Sequence, residues 1–144
     1  MTPQDRATRC ADAMWANDLA SQSLGIHVDH IGPGQATLSM PVRADMLNGH
    51  GICHGGMIFT LADSAFAFAC NTYNRIAVAQ QNQITYLSPG QPGETLTATA
   101  TETARQGRSG TYDVTVTGGD GRTVALFRGL SRTISGTHFD EDQP

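Results

Sequence analysis

Residues 48–70 read NGHGICHGGMIFTLADSAFAFAC, and this stretch decides the fold. Its first part is a loop carrying Gly49, Gly51, Gly55 and Gly56, and its second part is apolar or small at nearly every position. A loop of that composition lets backbone come close to a ligand. The segment it feeds predicts a central helix, about residues 55–72, buried on most of its circumference.

Outward from this helix the pattern changes to a period of two. Upstream, GIHVDHI (25–31) and GQATLSMPV (34–42) alternate apolar and polar residues around the turn Gly32-Pro33-Gly34, which predicts a hairpin. Downstream, RIAVAQQNQITYLSPG (75–90), GETLTATATETARQG (93–107) and SGTYDVTVTGGDGRTVALFRGLSRTIS (109–135) predict about four more strands. Leu96, Ala98 and Ala100 share one strand face, as do Tyr112, Val114 and Val116, and Gly118-Gly119-Asp120-Gly121 marks a tight turn. At the start, Ala7, Cys10, Ala11, Met14, Trp15 and Leu19 predict one amphipathic helix over residues 4–22, stopped by Gly25. The fold class is α+β, an antiparallel sheet of five to six strands wrapped around one long helix. Residues 1–136 form a single domain, and the acidic THFDEDQP (137–144) is expected to be disordered.

Composition narrows the function. Only 15% of the 144 residues are charged, against roughly a quarter in an ordinary soluble domain. Such a surface, with one sheet face lacking cover, points to dimerisation. All nine basic residues are Arg, so Schiff-base lysine chemistry and the lysine-dependent phosphate loop are excluded. A net charge of −4 without a basic stripe argues against nucleic acid. No apolar run reaches the length of a membrane span and the first residues carry no signal pattern, so a cytoplasmic protein is expected. Cys10, Cys53 and Cys70, odd in number and irregularly spaced, do not make a disulfide framework.

Asp63 is the only charged residue between Met57 and Cys70, set among Leu61, Ala62, Ala65, Phe66 and Ala69. A carboxylate there costs free energy unless something pairs with it or uses it. The alternative is that it faces solvent. At the helix start, the Gly55 N–H carries part of the positive helix pole and suits a developing oxyanion. Asp63 lies roughly 12 Å along the helix from Gly55, too far for one atom to meet both in one chain. If two helices run antiparallel in a symmetric dimer, each helix start lies near the partner's Asp63 and two composite sites result.

Other constellations carry less. His50, Cys53 and His54 lie among glycines that oppose a helix and lack a further ligand, so no metal is expected. Adjacent Cys53 and His54 do not put sulfur within reach of imidazole. His27 and His30, at odd spacing in a strand, are expected on opposite faces. Ser109 does not sit in a nucleophile elbow.

NGHGICHGG (48–56) followed by LAD (61–63) resembles the signature of hotdog-fold acyl-CoA thioesterases, close to the PaaI type of phenylacetic acid degradation. ITYLSPG (84–90) and TVALFRG (123–129) extend the resemblance from about residue 20 to residue 136. It implies dimers sharing a continuous sheet, commonly paired into a homotetramer, and hydrolysis of phenylacetyl-CoA, hydroxyphenylacetyl-CoA, or another aryl or medium-chain acyl-CoA. Asp63 matches the family's general base or nucleophile, Gly55 the N–H that polarises the carbonyl, and Asn48 and His54 polar residues that orient substrate or loop. Some relatives carry a Ser or Thr on the next strand that positions water. Here Ala79-Gln80-Gln81 offers no hydroxyl, and Gln80 or Gln81 is the expected substitute. Gly56, Arg108 and Ser109 are expected to contact coenzyme A, the Arg fork suiting phosphate. Coenzyme A is then part of the substrate and no cofactor is needed. The pocket wall is expected to draw on Met57, Phe59, Phe66 and residues 71–74. Two alternatives stand beside hydrolysis. One is a non-catalytic acyl-CoA sensor, and the other is a hydratase relative, which would carry a differently placed His.

Overall fold

In the computed structural model, which describes residues 1–143, the chain begins with α1 (Pro3–Trp15), α2 (Leu19–Ser23), β1 (His27–Gly32) and β2 (Gln35–Pro41). After a single 3-10 turn at Ala44–Met46 come α3 (Gly55–Cys70), β3 (Ala77–Tyr86), β4 (Thr95–Gln106), β5 (Ser109–Thr117) and β6 (Thr123–Thr133). All six strands join one antiparallel sheet in the order β1-β2-β4-β5-β6-β3. The expected sheet wrapped around one long helix is therefore what the chain forms, with the helix ending at Cys70.

The alternating residues explain the packing. Leu96, Ala98 and Ala100 of β4 and Tyr112, Val114 and Val116 of β5 are buried, facing Ile58, Leu61, Ala62, Ala65, Phe66 and Ala69 of α3. Phe66 centres this core, its ring edge-on to Tyr112 at 5.7 Å and tilted against Phe127 at 5.9 Å. Gly129 of β6 lets the backbone pass over that ring, because a Cβ there would stand 2.6 Å from Phe66 Cδ2. Removing such a buried aromatic costs about 3–5 kcal/mol.

Three expectations need correction. The helix expected over residues 4–22 is two helices. The first has a capping box between Thr2 and Asp5 and ends at Trp15, while Asp18 starts the second by accepting from Ser21 N–H at 3.0 Å. Asp18 thus acts as an N-cap where a continuous helix would have to hold it inside. The tail expected to be disordered is docked. Buried Asn74 accepts from the His138 and Phe139 N–H groups, Glu141 pairs with Arg6 at 2.7 Å, and the Arg9 guanidinium lies 4.1 Å over the Phe139 ring. Pro144 lies outside the described residues. Finally, His27 and His30 face the same side. A bulge at Asp29 pairs His27 with Ser39 and His30 with Thr37, two residues apart on β2.

Both ends of the sheet, β1 and β3, are edge strands. Among the described residues, only β6 pairs with β3.

Candidate active site

The loop before α3 is held by backbone. Leu47 and Cys53 form an isolated bridge, Cys53 N–H donates to Gly90 O at 2.9 Å, and His54 N–H donates to Met46 O at 2.8 Å. Within the loop, Asn48 Oδ1 accepts from His50 N–H at 2.9 Å and Ile52 N–H at 3.3 Å. Gly51, at φ +75°, takes the left-handed turn the loop requires.

At the helix start the donors are apportioned. His54 is the N-cap and its Nδ1 accepts from Gly56 N–H at 2.9 Å, while its carbonyl takes the Met57 and Ile58 N–H groups. The Gly55 N–H meets no acceptor among the described residues. It is an open donor at the positive pole of a sixteen-residue helix. Tyr86 reaches across from β3, its hydroxyl donating to Gly55 O at 2.8 Å, and a Cβ at Gly55 would stand 3.2 Å from its ring. A groove of about 320 Å³ opens here, lined by Asn48, Ile52, Gly55, Ile58, Tyr86 and Leu87. Asn48, His54 and Gly55 are thus brought together as expected. Gly56 is not available to a ligand through its N–H, because His54 holds it.

Asp63 lies two turns further on, half-buried on the stripe of α3 that the sheet leaves uncovered. Its Oδ1 accepts from Asn82 Nδ2 of β3 at 3.0 Å. Burial pushes its carboxyl above the usual range, the Asn82 hydrogen bond pulls it back, and the charge of Asp18 adds a further upward push. Asp18 belongs to a short polar chain running beside α3. It accepts from Ser21 Oγ at 2.7 Å, and Ser21 Oγ lies 3.0 Å from Ser64 Oγ. The other end of the Asn82 amide is an anomaly. Its Oδ1 is buried with no hydrogen-bond partner among the described residues, a state that costs about 1–3 kcal/mol when nothing satisfies it.

Gln80 and Gln81 do not occupy that position. A bulge in β3 leaves Gln80 without a partner on β6 and pairs Gln81 with Leu130, on the face turned away from the helix. Asn82 pairs with Gly129 and faces α3. Counting alternation back from Ile84 and Tyr86 picks out Asn82, whereas counting forward from Ala77 and Ala79 picks out Gln81.

Arg108 and Ser109 stand apart from both groups, at the far end of α3. With Arg75, Arg105, Tyr73 and Cys70 they line a small cavity of about 90 Å³. The Arg105 guanidinium stacks 3.5 Å over Tyr73, while Arg75 and Arg108 form no salt bridge among the described residues. Phe66 is a core residue rather than pocket wall, and Met57 and Phe59 are half-buried beside it. A wider groove of about 580 Å³ between α1 and β1 holds none of the candidate residues.

Among the described residues no group of three or more His, Cys, Asp or Glu could hold a metal ion. Burial pushes the Cys53 thiol up to about 11 and the Cys70 thiol up to about 12, so neither offers a thiolate near neutral pH. No helix is long and apolar enough to cross a membrane.

A sheet wrapped around one helix, with an open N–H at the helix start and a carboxylate on its uncovered stripe, is the hotdog layout, and the chemistry it can perform is polarisation of a carbonyl next to a base. The chain belongs to the thioesterase superfamily, which matches residues 50–125. It is 46% identical over 132 residues to the acyl-coenzyme A thioesterase PaaI of Escherichia coli, covering 92% of this chain and 94% of that one. The solved structure of the E. coli PaaI protein from the phenylacetic acid degradation operon superposes with a TM-score of 0.93, at 45% identity and 94% and 99% coverage. A mutant of the phenylacetic acid degradation protein PaaI from Thermus thermophilus gives 0.78 at 41% identity, covering 81% of this chain and all of that one. A Streptococcus mutans protein solved bound to acetyl CoA gives 0.74 at 28% identity, covering 78% and 90%.

Proposed function

We propose that the protein is a cytoplasmic acyl-CoA thioesterase that works as a homodimer with two composite sites and pairs further into a homotetramer. The observation that carries this is Asp63, the one charged residue of α3, held half-buried on the stripe the sheet leaves open. In one chain it lies roughly 12 Å along the axis from the Gly55 N–H, beyond the span of a single thioester carbonyl. A second copy whose α3 runs antiparallel brings the two together. The unpaired side of β3, with exposed Val78, Leu126 and Ile134 nearby, supports an interface on that edge.

In each composite site the thioester oxygen accepts from the Gly55 N–H of one protomer. Asp63 of the partner subunit then acts on the carbonyl carbon, either through water as general base or directly as nucleophile. Asn48 and His54 keep the helix start in shape, one by bracing the loop and the other by capping. The negative phosphates of coenzyme A suit the Arg75, Arg105, Arg108 and Ser109 corner. Coenzyme A leaves as product, and the reaction so drawn needs no metal or separate cofactor. The names of the relatives favour phenylacetyl-CoA or hydroxyphenylacetyl-CoA as substrate, with medium-chain and other aryl acyl-CoAs as the nearest competitors.

Thiol release from a panel of aryl and aliphatic acyl-CoAs tests the reading. Wild type should release thiol, and Asp63→Asn, which keeps the shape and removes the base, should not. Thiol release by Asp63→Asn at the wild-type rate sinks the mechanism, and none from any acyl-CoA by wild type leaves a binding module. Mixing Asp63→Ala with a Gly55 variant, subunit exchange being verified, should rescue part of the activity if sites are shared.

A further inference from the structure

We infer that Asn82 is the positioning residue of the hydrolytic step, its Nδ2 holding the Asp63 carboxylate while its Oδ1 accepts a hydrogen of the attacking water. This rests on the thioesterase reading above and deepens it, because it chooses water over direct attack by Asp63.

The geometry is that of one planar amide with its two ends in different use. Nδ2 donates to Asp63 Oδ1 at 3.0 Å. Oδ1, on the same carbon, is buried beside the carboxylate with no partner among the described residues. Both groups that face this point, the carboxylate and the amide oxygen, are acceptors. A water between them donates one hydrogen to each and keeps a lone pair for the thioester carbon. A carboxylate oxygen already bound by an amide is, in turn, a poorer nucleophile than a free one.

The step balances. The water oxygen bonds to the carbonyl carbon as one water proton passes to Asp63, and the oxyanion forms at the Gly55 N–H. Collapse of the adduct breaks the carbon–sulfur bond, the electron pair leaves with the coenzyme A sulfur, and the proton on Asp63 goes to that sulfur. The free acid and the thiol result, and Asp63 is again a base.

Asn82 has a second effect, on the charge of Asp63. Burial favours the neutral acid and the Asn82 donor favours the carboxylate. The other titratable groups acting here are Asp18, at the start of α2, and Cys70, two turns along α3, whose thiol stays protonated. Changing Asn82 alters neither of them.

The test uses the full chain, with phenylacetyl-CoA and hexanoyl-CoA as probes. Asn82→Leu removes both hydrogen bonds at similar volume. The expected result is a kcat about 10–100-fold lower with KM little changed, an acid limb of kcat/KM moved to higher pH, and a Tm no lower than wild type. Asn82→Ser, which restores a small donor and acceptor, should return the limb toward its wild-type position. A merely structural Asn82 would lower Tm and leave the limb alone. Wild-type kcat in Asn82→Leu, or an acid limb that does not move, overturns the inference. Should Asn82→Leu fail to fold, Asn82→Asp carries the same test. It keeps the acceptor, loses the donor and adds a like charge, so the limb must rise, and a stationary limb again overturns the inference. Loss of activity in Asp63→Asn with a wild-type Asn82→Leu defeats this inference alone. Full activity in Asp63→Asn defeats the thioesterase mechanism beneath it.

Discussion

The two halves of the site, the start of α3 and its middle, are built by different means. At the start, backbone does the work. The loop from Leu47 to His54 is tied down by main-chain bonds to Met46 and Gly90, one imidazole caps the helix, and the functional atom is a single N–H. In the middle, side chains do it. Asp63 of α3 depends on Asn82 from β3, and its charge feels Asp18 from the start of α2, three elements far apart in sequence. A backbone site tolerates changes of side chain as long as its path is kept, whereas a side-chain site fails when any one member changes.

The largest effect should come from the middle. Asp63→Asn is expected to lower kcat by about 10²–10⁴-fold, as loss of a general base does, and thiol-release kinetics measure it. If instead the start of the helix supplied most of the rate, this variant would retain a large fraction of it and the contrast would break. At the start, Gly55→Ala keeps the N–H but presses a methyl toward the Tyr86 ring, 3.2 Å away. It should reduce kcat/KM by about tenfold through misplacement. Tyr86→Phe in the same background, leaving the ring free of its bond to Gly55 O, should recover part of that loss.

Stability gives two smaller contrasts. His54→Ala strips the cap from Gly56 N–H and should cost about 1 kcal/mol, lowering Tm by about 3 °C in a thermal melt. Asp63→Asn should act in the opposite direction. Burial raises the folded-state pKa of Asp63, so folding holds its proton more tightly than the unfolded chain does. The stability from this group is therefore complete below the ordinary value of 3.8 and is lost as pH rises through the raised value. Asp63→Asn should melt higher than wild type at pH 7, and the gap should close in melts taken at falling pH. A gap that persists below 3.8 would mean that the carboxylate is not under strain in the fold.

The same division governs what could be read in the sequence. Gly55, His54 and Asp63 are legible because their meaning is local: glycines before an apolar helix, a polar residue at its start, one charge inside it. Asn82 is not, because the bulge in β3 resets the alternation between Ala79 and Asn82, and a bulge leaves no mark in a run of AVAQQNQ. His27 and His30 were misplaced by the same kind of event at Asp29. Asp18 reads as an interior residue of a longer helix until its carboxylate is seen capping α2. The tail reads as disordered by composition, yet Asn74, Arg6 and Arg9 receive it from segments far back in the chain. Composition and periodicity report local preference, and each of these features is decided by a distant partner.

The bulges at Asp29 and in β3 fall on the two edge strands, one at each end of the sheet. An edge with a kink in its rail is a poor template for a passing strand, since only a partner bent to match can zip along it. Many proteins guard such edges with lysines, and this chain has none. Its resistance to fibre growth is accordingly written in backbone shape, where a change of salt or pH that would neutralise a charged guard has nothing to act on.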